Sequence, residues 1–168
     1  MNDQTISAGS RADLLIAASP DGMILADPGG TIQVWNEAAS RIFGFSADSA
    51  IGQSLDLIIP ERFRQAHWRG FQESMQSGRT KYAGKALPTR ATHAEGRQLY
   101  VELCFSIVHD RGGVIIGALA TARDITERFL ADREKDRRRQ ERQRAQQQPA
   151  ATGPSGNDRS GARGTSDK

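Results

Sequence analysis

The chain of 168 residues contains a single cysteine, Cys104. That excludes an internal disulfide framework and fits a reducing compartment such as the cytoplasm. One cysteine and three histidines give no paired Cys/His spacing of the kind that holds zinc. There is no phosphate-binding P-loop and no nucleophile elbow, and the 17 glycines are scattered at turn-like positions. No apolar run approaches the ~20 residues that span a membrane. The N-terminal MNDQTISAGSR lacks the apolar stretch of a secretory signal. Hydrophobic residues make up only 37% of the chain, so part of it lies outside any packed core. Together these absences argue against catalysis by the chain.

What is present is strongly ordered. Ala12–Ala18 reads as a short amphipathic helix ended by Ser19-Pro20-Asp21-Gly22. Met23–Asp27 and Thr31–Trp35 read as strands joined by Pro28-Gly29-Gly30. Asn36 is placed to cap a helix through Phe43 that stops at Gly44. Ser46 and Asp48 open a second short helix that ends at Gly52. Pro60 and Glu61 start a longer helix, with Phe63, His67, Phe71 and Met75 spaced by four along one face. Three strands follow. Thr80–Thr92 is interrupted at Pro88, which marks an edge or bulged strand. Arg97–His109 alternates cleanly, with Leu99, Val101, Leu103, Phe105 and Ile107 on one face and Tyr100, Glu102 and Cys104 on the other. Val114–Arg123 is the last. The pattern is α+β, an antiparallel sheet with helices packed on one face.

The order of elements around Trp35-Asn36, together with Ala122-Arg123-Asp124-Ile125-Thr126-Glu127-Arg128 downstream, resembles the PAS domain, a small sensory fold. The resemblance implies a five-stranded antiparallel sheet, a final strand ending in Asp-Ile-Thr, and an exit helix. It frames the chain as a flexible N-terminus (1–10), a PAS domain with the start of its exit helix (11–130), a charged helical extension (131–145) and a disordered tail (146–168). Too few residues follow Asp124 for a kinase or cyclase module, so the chain resembles the input half of a signalling system.

Within that family the segment Ile59–His67, followed by Gly78 and Gly84, is similar to haem-binding oxygen sensors, in which a histidine of the long helix coordinates iron. The resemblance puts His67 in that role and implies a slot lined by His67, Leu87, Leu103, Phe105 and Leu119. Small residues at Gly117, Ala118, Ala120 and Ala122 leave room opposite Leu103 and Phe105. Imidazole is a good axial ligand, and the propionates of haem need cations. Two positions depart from that subgroup: Leu87 stands where an arginine faces bound oxygen, and Glu73 where an arginine meets a propionate, with Lys81 and Lys85 as substitutes. The other reading of His67 is a partly exposed or core-edge histidine satisfied by a neighbour. Flavin adduct chemistry is disfavoured, because Gly52-Gln53-Ser54-Leu55-Asp56 lacks the required cysteine. Trp35 reads as core, and His93 and His109 as solvated turn residues.

Three functions follow: a PAS sensor that binds a small ligand or a protein partner and relays the change through Asp124, Ile125 and Thr126; a haem-based redox or gas sensor; and an adaptor with a filled core. The expected assembly is a homodimer through the N-terminal and exit helices, acting on a downstream kinase, cyclase or transcription regulator. The arginines at 137–139, with Arg142 and Arg144, alternate with acids and lack interleaved aromatics, which argues against nucleic acid.

Overall fold

A computed structural model describes residues 8–147. Its elements are α1 (Ala8–Ala18), β1 (Gly22–Ala26), β2 (Ile32–Trp35), α2 (Glu37–Phe43), α3 (Ala47–Ala50), α4 (Glu61–Ser77), β3 (Leu87–Thr92), β4 (Gln98–His109), β5 (Ile115–Asp124) and α5 (Thr126–Gln147). One antiparallel sheet runs in the order β2-β1-β5-β4-β3. The two hairpin halves are joined at the centre by β1 against β5, and the helical insert crosses from one edge strand to the other. The described residues divide into two compact units, with the boundary between Ala131 and Asp132.

Asn36 fixes the junction between β2 and α2. It lies buried with extended backbone before the helix, and its Oδ1 accepts from the Ala39 amide at 2.9 Å as an N-cap. The same oxygen accepts from the Met23 amide of β1 at 2.8 Å. Its Nδ2 donates to the carbonyls of Ile16 and Asp21, each at 3.0 Å. One carboxamide thus ties the end of α1, the start of β1 and the first turn of α2. Gly44, in the left-handed region at φ 78°, closes that helix.

The inner sheet face carries Ile24 and Ala26 of β1, Ile32 of β2, Leu99 and Val101 of β4 and Ala122 of β5, all buried beneath the helical insert. Trp35 belongs to this core, its ring tilted against Phe43 at 5.4 Å and its Nε1 donating to Ser40 and to the Phe45 carbonyl.

Three expectations need correction. The strand read from Thr80 is confined to Leu87–Thr92, and residues 81–84 form turns. Pro88 does sit on an edge strand, opposite Glu102. His93 is buried and not solvated: its ring lies over Gly44, where a Cβ would meet His93 Nε2 at 2.5 Å, and its Nδ1 accepts from the Glu95 amide at 3.2 Å. Helix starts at Ala8 inside the stretch read as loose. Residues 1–7 and nearly all of the expected disordered tail lie outside the described residues.

The second unit contributes the rest of α5. From residue 132 to 147 its sole apolar residue is Ala145, so no core-facing stripe supports it. Side-chain pairs along its surface do. Glu134 accepts from Arg137 at 2.8 Å and from Arg138 at 2.7 Å, and Arg137 reaches Glu141 at 2.8 Å. Asp132 with Lys135 and Asp136 with Arg139 add i,i+3 pairs, with the acid on the N-terminal side as helices prefer.

Two outcomes follow. Asn36→Ala leaves buried donors and acceptors unmatched and should cost roughly 2–4 kcal/mol in urea unfolding. Asn36→Asp should fail to restore that loss, because it keeps the acceptor and loses both donors. Hydrogen bonds from Arg137 and then Arg138 hold the Glu134 carboxyl down to about 2, from an ordinary 4.5. A depressed carboxylate contributes above its unfolded value and loses that contribution as it protonates. Helix content of α5, followed by circular dichroism, should therefore fall as pH drops from 4.5 towards 2, and Glu134→Gln should flatten that change.

Candidate functional site

Helix α4 lies along the inner sheet face without filling it. Between them is a cavity of about 400 Å³, walled by Phe63, His67 and Phe71 from α4, by Leu103 and Phe105 from β4, and by Ala118 and Ala120 from β5. The register makes the space: Phe105 pairs with Ala120, Ala120 with Ile24, and Ala118 with both Ile107 and Ala26, so small side chains occupy the middle strand of the sheet. A second chamber of about 340 Å³ shares His67, Phe71, Phe105 and Ala118 with the first and extends towards Met75 and Lys81.

The position of α4 is held at its N-terminal end. Trp68 lies over Gly30, where a Cβ would collide with the indole, and its Nε1 donates to Asp56 Oδ1 at 2.9 Å. Arg64 donates to the carbonyls of Ile59 and Asp56 at 3.2 and 3.1 Å. Gly78, in the left-handed conformation, ends the helix.

His67 is the unusual group in this wall. Its Nδ1 is buried with no hydrogen-bond partner, the one such side-chain atom among the described residues. A buried polar atom is normally satisfied. The ring stacks on Phe71 at 5.9 Å and meets the edge of Trp68 at 5.1 Å. Desolvation lowers its pKa, against the opposing pull of Asp56, so the imidazole is neutral at pH 7. The neighbour that the alternative reading supplies is not found at Nδ1. Among the described residues no group of three or more His, Cys, Asp or Glu could hold a metal ion.

The structure brings His67, Leu103 and Phe105 together and separates two other expected residues from them. Leu87 pairs with Leu103 at the start of β3 and shares its face, but it is not part of the cavity wall. Leu119 is on the other face of β5, paired with Leu25 and Ser106. Alternation along a strand requires this once Ala118 and Ala120 point inward. Leu55, Ile58 and Ile59, not among the expected site residues, close the cavity from the segment before α4. The apolar stretch before Pro60 was the available sign.

Asp124, Ile125 and Thr126 form a latch onto β4. Asp124 Oδ1 accepts from the Thr126 amide at 2.8 Å, capping α5. The Ile125 amide donates to the Tyr100 carbonyl at 2.9 Å, and its side chain is buried. Thr126 Oγ1 accepts from the Tyr100 amide at 3.0 Å and donates back to its carbonyl at 3.3 Å. Tyr100 stacks on Phe129 with centroids 4.0 Å apart, and the Arg90 guanidinium lies over the Tyr100 ring at 5.6 Å. Tyr100, on the strand face opposite Leu99 and Val101, is therefore buried by the first turn of α5. Its neighbour Val101 and the adjacent Arg90 both border the cavity. On the same strand ends, Arg123 forms a two-point pair with Asp21 at 2.8 and 2.9 Å.

A five-stranded antiparallel sheet, a capped helical insert and a ligand-sized apolar cavity beside the strand that leads into an exit helix define a small sensory module. The PAS domain profile matches residues 20–127, and the chain belongs to the PAS domain family. It is similar to the oxygen sensor protein DosP of Escherichia coli, 24% identical over 116 residues, covering 69% of this chain and 14% of that protein. It is also similar to the sensor protein FixL of Bradyrhizobium diazoefficiens, 46% identical over 48 residues, covering 29% of this chain and 10% of that protein. Both relatives are many times longer than the stretch they share with this chain. Among solved structures, the PAS domain of a protein from Colwellia psychrerythraea has a TM-score of 0.62 at 19% identity, covering 72% of this chain and 99% of that one.

The latch generates a prediction. Thr126→Val removes both Oγ1 bonds and leaves the Tyr100 amide unmatched, and should cost about 1–3 kcal/mol in urea unfolding. Thr126→Ser should retain most of the stability.

Proposed function

We propose that this PAS domain senses a small, largely apolar ligand held between α4 and the sheet, and passes its occupancy through β4 and β5 to α5. The observation that carries this reading is the buried, partnerless Nδ1 of His67 in the wall of a largely apolar cavity. A ligand that supplies a partner would recover the cost of burying that atom. Val101 borders the cavity while the adjoining Tyr100 holds the latch, so a change at the wall has one peptide unit to cross. Occupancy would then shift the population of latched and loosened α5. In this reading the chain senses and does not catalyse, and its output passes to a kinase, cyclase or transcription regulator.

A second reading, haem as the ligand, is favoured by the same imidazole and by similarity to a protein named as an oxygen sensor. The residues fit the group: His67 is neutral and unspent, and Leu103, Phe105, Ala118 and Ala120 offer apolar contact for a macrocycle. His67 would hold the iron, which supplies gas or redox sensitivity when bound. Leu87 brings no charged donor to that site.

The homodimer is part of the proposal, through α1, where Leu14 and Leu15 are exposed. The charged part of α5 offers no apolar seam to a second copy. No helix among the described residues is long and apolar enough to cross a membrane.

Thermal melts test the ligand reading with 1-dodecanol as a probe. Wild type should gain stability with added probe, and Ala120→Phe, which fills the cavity, should gain none. Equal responses would remove the cavity as the site. Haem titration tests the second reading: wild type should develop a Soret band that His67→Ala abolishes and His109→Ala retains. Wild type that stays colourless would end the haem reading alone.

A further inference from the structure

The second chamber differs in character from the first. Its deep wall is apolar, with Met75, Ile107 and Ala118, and its mouth carries Arg69, Glu73, Thr80 and Lys81. Glu73 Oε2 lies 3.2 Å from Lys81 Nζ, so these two charges neutralise each other. Arg69 is exposed and makes no ion pair among the described residues. Two cations against one carboxylate leave one positive charge at the mouth.

The main cavity offers nothing comparable. Of its titratable residues, His67 is a neutral imidazole, and Arg90 turns its guanidinium onto the Tyr100 ring, which packs against Phe129 of α5. An anion placed there would lose its water without gaining an ionic partner. At the mouth of the second chamber it would stay hydrated and meet Arg69. His67, Phe71, Phe105 and Ala118 border both spaces, so the two adjoin along these side chains.

Resting on the ligand reading above, we infer that the cavity takes an elongated amphiphile with a single carboxylate head: its hydrocarbon body fills the main cavity and its head sits at Arg69. Glu73 limits affinity by occupying Lys81. This makes Glu73, which lines the mouth on the same helix as Arg69, a residue that sets specificity by opposing the head.

Calorimetric titration of the whole chain with dodecanoate and with 1-dodecanol, each below its aggregation concentration, tests this. Wild type should bind dodecanoate more tightly than dodecanol, and added salt should weaken the acid alone. Arg69→Gln should lower dodecanoate affinity about fivefold and leave dodecanol unchanged. Glu73→Gln should raise dodecanoate affinity by a similar factor, because it releases Lys81. Equal affinities for acid and alcohol in all three proteins would overturn the anionic head, as would parallel losses for both probes in either variant. Binding of neither probe to wild type would overturn the ligand reading together with this inference.

Discussion

The buried carboxamide of Asn36 holds the structure in register. It uses two acceptor and two donor positions on Ala39, Met23, Ile16 and Asp21, which belong to four different parts of the chain. No hydroxyl or carboxylate has that complement of donors and acceptors. The start of β1 is thereby fixed against the start of α2, and β1 in turn pairs with β5 along five residues. The position of the alanines of β5 under α4, and so the cavity itself, follows from that chain of constraints. Asp21 carries it to the outer end of β5, since its carbonyl accepts from Asn36 and its carboxylate binds Arg123.

A cavity is a cost that packing normally removes. Here it is kept open by size. Ala118 and Ala120 of β5 face Ile24, Ala26, Phe105 and Ile107 on the flanking strands, while α4 is held away by Trp68 seated on Gly30 and by Arg64 bonded to the preceding loop. The cavity borders the same strand, β4, whose Tyr100 anchors α5 through backbone bonds and a stacked ring. Site and exit are therefore neighbours on one element, which is the physical basis for coupling them.

Much of this was legible in the sequence because it is local. The Asn36 cap, the Gly44 stop, the alternation of Leu99 to Ile107 and the Asp124–Thr126 helix start all follow from residue type and spacing. What was not legible depends on distant partners. His93 reads as a turn residue, and only the absent side chain of Gly44, remote in sequence, gives its ring a buried seat. Tyr100 lies on the face opposite the core alternation, and Phe129 arrives from beyond the next strand to cover it. Between Thr80 and Ala86 only Thr80 and Tyr82 favour a strand, and β3 pairs with β4 only from Leu87 onward. Leu119 has no choice of face once Ala118 and Ala120 point inward, a constraint that the sequence itself carries.

The central claim is that the wall around His67 communicates with the latch at Thr126. Hydrogen exchange at the amides of Tyr100 and of residues 125–129, measured with and without a bound cavity ligand, tests it most directly. The account predicts that binding changes exchange at these amides in wild type, and that Ala120→Phe fixes them at one rate whether or not ligand is added. Ligand demonstrably bound in the cavity, with exchange at Tyr100 and α5 unchanged, would contradict it.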